Sequence, residues 1–202
     1  MNTKDILISF DTTGSMYPCL SQVRNNVEQL VTKLFKEIPD VRIGIIAHGD
    51  YCDENVTYLS KMLDFSEDVN KICHFVKNVD RTYGGDSEEA YEWVLNQART
   101  ASWKSGTSKS LIMIGDDLPH LENYKLNVKK LNWKNEAKLL AEAGIKIYSV
   151  QALGRSYTNH FWRELANITS GYHLSLNQFS DIQNLIMAVG YKQVSDDQLL
   201  DY

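Results

Sequence analysis

Five short apolar runs punctuate the chain: ILISF at 6–10, VRIGIIA at 41–47, SLIMIG at 110–115, IKIYSV at 145–150 and YHLSL at 172–176. They are rich in β-branched residues and mostly apolar at successive positions, as strands buried on both faces of a parallel sheet are. Between them apolar residues recur at helical spacing. Val23, Val27, Leu30, Val31 and Leu34 form one stripe, and Ala90, Trp93, Val94 and Ala98 form another. Ala137, Leu140 and Ala141 form a third, with Gly144 as a stop, and Phe161, Leu165 and Ile168 a fourth, stopped by Gly171. Ile182, Leu185, Ile186 and Val189 form the last. The run VTYLSKML at 56–63 predicts a short antiparallel edge strand beside 41–47. Strand and helix in alternation predict an α/β fold: a Rossmann-like, mostly parallel central sheet with helices on both faces. Residues 117–134 break the alternation and read as a long surface loop.

Length and composition narrow the picture. The 202 residues suit one domain, 1–190, followed by an acidic tail, 191–202. A net charge of -5 argues against a nucleic-acid groove, and Lys125, Lys129 and Lys130 sit on a solvated face. No stretch approaches the roughly 20 apolar residues of a membrane span, and Met1 to Lys4 run into a strand without a secretory signal. Cys19, Cys52 and Cys73 are an odd number without CxxC spacing, so free thiols in a reducing, cytoplasmic setting are expected. The glycosylation triplets at Asn55 and Asn167 would then go unused.

The candidate chemistry lies where the strands end, because ligands of open α/β sheets bind beyond the carboxyl ends of the strands. The first strand ends in Asp11-Thr12-Thr13-Gly14-Ser15, the second in His48-Gly49-Asp50-Tyr51-Cys52-Asp53, and the central one in Gly115-Asp116-Asp117. A fourth polar loop, Thr82-Tyr83-Gly84-Gly85-Asp86-Ser87, opens a helix. Carboxylates gathered on one rim repel each other unless a cation or a donor compensates. Hydroxyl and carboxylate oxygens are hard ligands, suited to Mg²⁺, Mn²⁺ or Ca²⁺. Each residue also has a plainer reading. Ser15 can cap the first helix, Asp86 with Glu89 can form a capping box, and Asp116 or Asp117 can shape a turn before Pro119. Thr13 has no such reading. His48 reads as a satisfied core residue and His120 as a surface one.

DTTGSM resembles the DxSxS motif of von Willebrand factor type A domains, with Thr13 in place of the first Ser. The resemblance implies a metal-ion-dependent adhesion site (MIDAS) with Asp11, Thr13 and Ser15 from the first loop and Asp116 from the loop after the central strand. Asp86 stands where the family's Gly-Gly loop carries Thr. The phrases GDYCD, GGDSEEA and GDDLPH resemble the domains of this family related to alpha-kinases, where Asp after the two glycines is common. The implied function is metal-dependent protein binding, with a partner carboxylate completing the coordination of Mg²⁺, Mn²⁺ or Ca²⁺. The implied company is a kinase or AAA+ ATPase acting in trans, without nucleic acid or membrane.

Two other readings remain open. One is the same fold with a degenerate site. The other is a metal-dependent phosphoryl or ester hydrolase on a similar sheet. A haloacid-dehalogenase-type enzyme would need DxDxT, and Thr13 occupies its acid–base position. GxGxxG, GxxxxGK[ST] and GxSxG are all missing from the sequence.

Overall fold

The first apolar run becomes β1 (Lys4–Asp11), whose eight residues are all buried. It lies between β2 (Val41–His48) and β4 (Ser108–Gly115) and runs parallel to both, with Asp11 opposite His48 and Phe10 opposite Ile114. β5 (Ile145–Gln151) and β6 (His173–Ser175) extend the parallel sheet beyond β4. β3 (Ser60–Ser66) closes the other edge, antiparallel to β2, giving the order β3-β2-β1-β4-β5-β6. This computed structural model describes residues 3–38, 40–175, 184 and 186–189.

Alternation along β1 sets the two cores. Ile6, Ile8 and Phe10 face α1 (Tyr17–Glu37) and α2 (Val69–Asn78), where they pack with Val27, Val31, Leu34, Ile72 and Val76. Leu7 faces the opposite layer of α3 (Tyr91–Thr100), α4 (Trp133–Glu142) and α5 (Asn159–Ile168). Burial of apolar stripes on both faces supplies the main favourable term of the fold. Residues 186–189 are helical, and Ile186, Met187 and Val189 join the α1 layer. Ile182, Leu185, the 190/191 boundary and the tail lie outside the described residues.

The fold matches the expected α/β sheet with one antiparallel edge, and three details differ. The edge strand starts at Ser60 rather than at 56, because the Asp53 carbonyl accepts from the amides of Val56 (2.9 Å) and Thr57 (2.8 Å) and keeps that segment in a turn. α2 was not among the expected helices. Its stripe is short and diluted by polar residues, yet Asp68 caps it with bonds from the amides of Asn70 (2.9 Å) and Lys71 (3.2 Å). Gly171 does not terminate α5 through its backbone freedom, since Ser170 takes the positive φ of 54°. Its role is close approach: a Cβ there would meet the Ile147 carbonyl oxygen at 1.9 Å.

Candidate metal centre

The chain leaves β1 toward β2 on one side, while β4 lies on the other, so the crevice between β1 and β4 is the topological switch point of the sheet. Asp11 ends β1 and Asp116 follows β4, and both are buried. Asp11 Oδ1 accepts from the Thr13 amide at 2.7 Å and the Thr13 hydroxyl at 2.6 Å. Tyr91 donates its hydroxyl to Asp11 Oδ2 at 3.2 Å and accepts from the Asp116 amide at 3.0 Å, tying the two loops together. Tyr91 is itself fixed against Phe161 and Trp162. Gly115 makes this possible, because a Cβ there would lie 2.2 Å from the Tyr91 hydroxyl.

Glu89 reaches into the same place. Its Oε1 lies 2.9 Å from Thr13 Oγ1, and its Oε2 has no hydrogen-bond partner. A threonine hydroxyl carries one proton and can donate to only one of the two carboxylates beside it. The other contact requires a proton on one of the two carboxyl groups or a cation among the oxygens. Without a cation Glu89 keeps its proton: burial, then repulsion from Asp11, pushes it up to about 11. Burial lifts Asp11 to about 6 against the pull of its Thr13 and Tyr91 bonds. Burial and the charge of Asp11 lift Asp116 to about 6, with Ser15 and Arg155 acting in the opposite direction.

Asp116 is the most exposed to consequence. Neither of its buried oxygens has an aligned hydrogen bond. The only cation beside it among the described residues is Arg155, with Nη2 at 3.0 Å and Nη1 on Asp117. Arg155, Thr13, Ser15, Gly84, Asp86 and Glu89 line a cavity of roughly 400 Å³ over the site. Its lining offers carboxylate and hydroxyl oxygens of the kind a hard divalent cation takes, together with the Arg155 guanidinium, while Asp11 and Asp116 do not line it.

The expected residues divide in two. Asp11, Thr13, Ser15 and Asp116 gather at the switch point. Asp86 lines the mouth of the cavity, but its carboxylate turns away: Oδ2 accepts from the Tyr124 hydroxyl at 3.0 Å and Oδ1 lies 3.7 Å from His120 Nε2. The plainer roles do not materialise. α1 starts after Met16 without a side-chain cap, so Ser15 is not one. α3 starts at Tyr91 with Ala90 as its uncapped N-cap, so Asp86 and Glu89 form no capping box. Asp117 does shape the turn, accepting from the Leu118 amide at 2.9 Å.

Glu89, Tyr91 and Arg155 were not among the sequence candidates. Asp53 latches the Gly-Gly loop, its two oxygens accepting from the amides of Tyr83 (2.9 Å) and Gly84 (3.0 Å). The residue pattern masked Glu89, because an acid three residues past Asp86 reads as the second half of a capping box. Two histidine readings are corrected. His48 is in the core, but neither ring nitrogen has a partner, and burial pulls it down to about 4. His120 is buried rather than at the surface, so the loop over 117–134 is part of the interior at this point.

Comparison with known proteins now fixes the class. The model of the von Willebrand factor type A domain matches residues 5–199, and the chain belongs to that family. It is 26% identical over 191 residues to an ariadne-like RING finger protein of Acanthamoeba polyphaga mimivirus, covering 88% of this chain and 18% of that protein. It is 24% identical over 122 residues to the alpha-protein kinase vwkA of Dictyostelium discoideum, covering 59% of this chain and 19% of the kinase. The chain thus spans less than a fifth of either relative. Among solved structures it resembles the pilus adhesin SpaC of Lactobacillus rhamnosus GG, with TM-score 0.71 and 13% identity over 97% of this chain and 30% of the adhesin. It also resembles BatB of Bacteroides thetaiotaomicron, with TM-score 0.65 and 16% identity over 95% of this chain and 98% of that one. These two likenesses are of fold. Family members are generally interaction modules rather than catalysts. No helix among the described residues is long and apolar enough to cross a membrane.

Proposed function

We propose that this domain binds a protein partner through a divalent cation held by Asp11, Thr13, Ser15 and Asp116. Asp86 stands at the mouth, where its charge favours the approach of the ion. The observation that carries the reading is a cluster of acids, Asp11, Glu89 and Asp116, buried together beside the Thr13 hydroxyl, with the single guanidinium of Arg155 next to Asp116. Such a group is costly unless a cation completes it. The donors are oxygen throughout, which favours Mg²⁺, Mn²⁺ or Ca²⁺. A bound ion would supply an open coordination position for an acidic side chain of the partner. The protein's own part is to fix that position. Tyr91 and the Thr13 amide hold Asp11, and Asp53 holds the loop that forms one wall.

The matched RING finger protein and kinase support a domain that works beside catalytic modules, here a kinase or ATPase in trans. The three free cysteines support a reducing, cytoplasmic setting.

The test is thermal unfolding in EDTA and then in Mg²⁺, Mn²⁺ or Ca²⁺, for the wild type and Asp11→Ala. Binding to the folded state alone adds about 2.7 kcal/mol at a hundred times the dissociation constant. The expected outcome is a cation-dependent rise that Asp11→Ala removes while keeping its circular dichroism. A wild type indifferent to all three ions would overturn the reading, as would an Asp11→Ala variant with an undiminished response.

A further inference from the structure

Beside the centre just described, three side chains from three loops converge. Asp50 follows β2 and is fully buried, His120 follows Pro119, and Asp86 comes from the Gly-Gly loop. His120 Nε2 lies 2.6 Å from Asp50 Oδ1 and 3.7 Å from Asp86 Oδ1. Their ligand atoms all fall within 4.8 Å of one another, and among the described residues no other three acidic, histidine or cysteine side chains do so. The imidazole is clamped by Tyr124, stacked at 3.8 Å and 11°, and by Tyr51 at 5.5 Å. Its Nε2 is therefore held toward the two carboxylates.

A second observation is a further buried acid beside the cluster. Glu92 is fully buried, and its oxygens have no aligned hydrogen bond, with the Tyr51 hydroxyl as the donor beside them. It lies close enough for its charge to act on both His120 and Asp50. Tyr51, which packs on His120, also has a buried hydroxyl without an aligned partner. Two carboxylates thus flank the imidazole, and the charge of Glu92 acts on it from farther off. Asp86, whose side chain is 39% exposed, leaves the cluster open to solvent on one side.

We propose that His120, Asp50 and Asp86 form a second divalent-cation site, selective for a zinc-type ion over Mg²⁺. An imidazole nitrogen with carboxylate oxygens suits Zn²⁺ or Co²⁺, whereas the all-oxygen set at Asp11 suits a hard ion. Zinc bonds of about 2.0 to 2.1 Å in a tetrahedron place ligand atoms about 3.3 Å apart. The observed 2.6 and 3.7 Å bracket that value, so the two pairs made by His120 shift by less than an ångström to take the ion, and the Asp50 and Asp86 ligand atoms lie within 4.8 Å of each other. The proton between Nε2 and Asp50 leaves to water as the ion binds. Two carboxylates then balance the dication, and water occupies the open side. Cys52, donating to the other Asp50 oxygen at 3.3 Å, orients that carboxylate. The ion would staple the Gly-Gly loop to the end of β2, against the wall of the first centre.

The test is titration of the protein with Zn²⁺ by calorimetry and with Co²⁺ by visible absorption, using the wild type, Asp11→Ala, His120→Gln and Asp86→Asn. The wild type should bind one equivalent. Asp11→Ala should retain it, whatever the response to Mg²⁺, so this site stands or falls separately from the first. His120→Gln should lose it, and Asp86→Asn should weaken it at least about tenfold. Asp86 is partly exposed, so its variant carries the test if His120→Gln fails to fold. No stoichiometric binding by the wild type would overturn the proposal. So would equal affinity in Asp86→Asn, or loss of Zn²⁺ binding in a folded Asp11→Ala.

Discussion

Glu89→Gln is the sharpest probe of the acidic crevice. Glu89 is 5% exposed and sits among Asp11, Asp50 and Asp116. Burial and those neighbours push it from 4.5 up to about 11. Between those values the folded state holds a proton that the unfolded state has lost, so stability falls as pH rises through the window. At pH 7 the cost is set by the unfolded value alone: (7 − 4.5) pH units at about 1.36 kcal/mol each, or about 3 kcal/mol. The result is the same whether the folded value is 9 or 11. Glutamine has nearly the same shape and no proton to hold. In EDTA, Glu89→Gln should therefore be more stable than the wild type by about 1 kcal/mol at pH 5 and about 3 kcal/mol at pH 7. Asp11 and Asp116 titrate in both proteins, so the difference isolates Glu89. The assay is urea unfolding at both pH values, read as the gap between the two midpoints. A gap that does not change with pH would refute the assignment of Glu89 as a buried neutral acid.

Arg155→Gln should tighten Mg²⁺ binding several-fold in the thermal assay, since it removes the guanidinium that competes for Asp116; an unchanged affinity would show that the two do not compete. Asp53→Ala should leave the fold intact and speed amide exchange at Tyr83 and Gly84 by roughly tenfold or more, because it removes two charge-assisted bonds worth about 1.5–3 kcal/mol each. Exchange at the wild-type rate would show that the loop is held by something else.

The strands were legible because a parallel sheet demands long apolar runs, and little else in a soluble chain produces them. Asp11, Thr13 and Asp116 were legible for a related reason, being polar residues placed where those runs end. What the sequence hid depends on contacts between distant segments. Glu89 sits three residues after Asp86, a spacing shared with a capping box. Only the observed start of α3 at Tyr91 frees it for Thr13. Tyr91 reads as one more apolar helix residue until its hydroxyl is seen between Asp11 and Asp116. His120 reads as exposed because it lies in the irregular stretch between two regular elements. The stacking of Tyr124 and the pull of Asp50 bury it.

β1 carries its own control for the idea that this crevice is built for a cation. Asp5, near one end of the strand, is as buried as Asp11 at the other. Arg42 donates to it through Nε (2.9 Å) and Nη2 (2.7 Å), the Lys104 amide at 2.8 Å and the Thr107 hydroxyl at 3.2 Å. The same fold, then, satisfies a buried aspartate fully where structure is the only demand. At the other end the carboxyl oxygens of Asp11, Glu89, Glu92 and Asp116 outnumber the donors offered to them: Glu89 keeps an oxygen without a partner, Glu92 has no aligned hydrogen bond, and Asp116 leans on Arg155. Leaving such groups unmatched costs stability, about 1–3 kcal/mol for each uncompensated group. Packing alone gives no reason to concentrate that cost on one rim of one sheet. Positive charge arriving from outside the chain does.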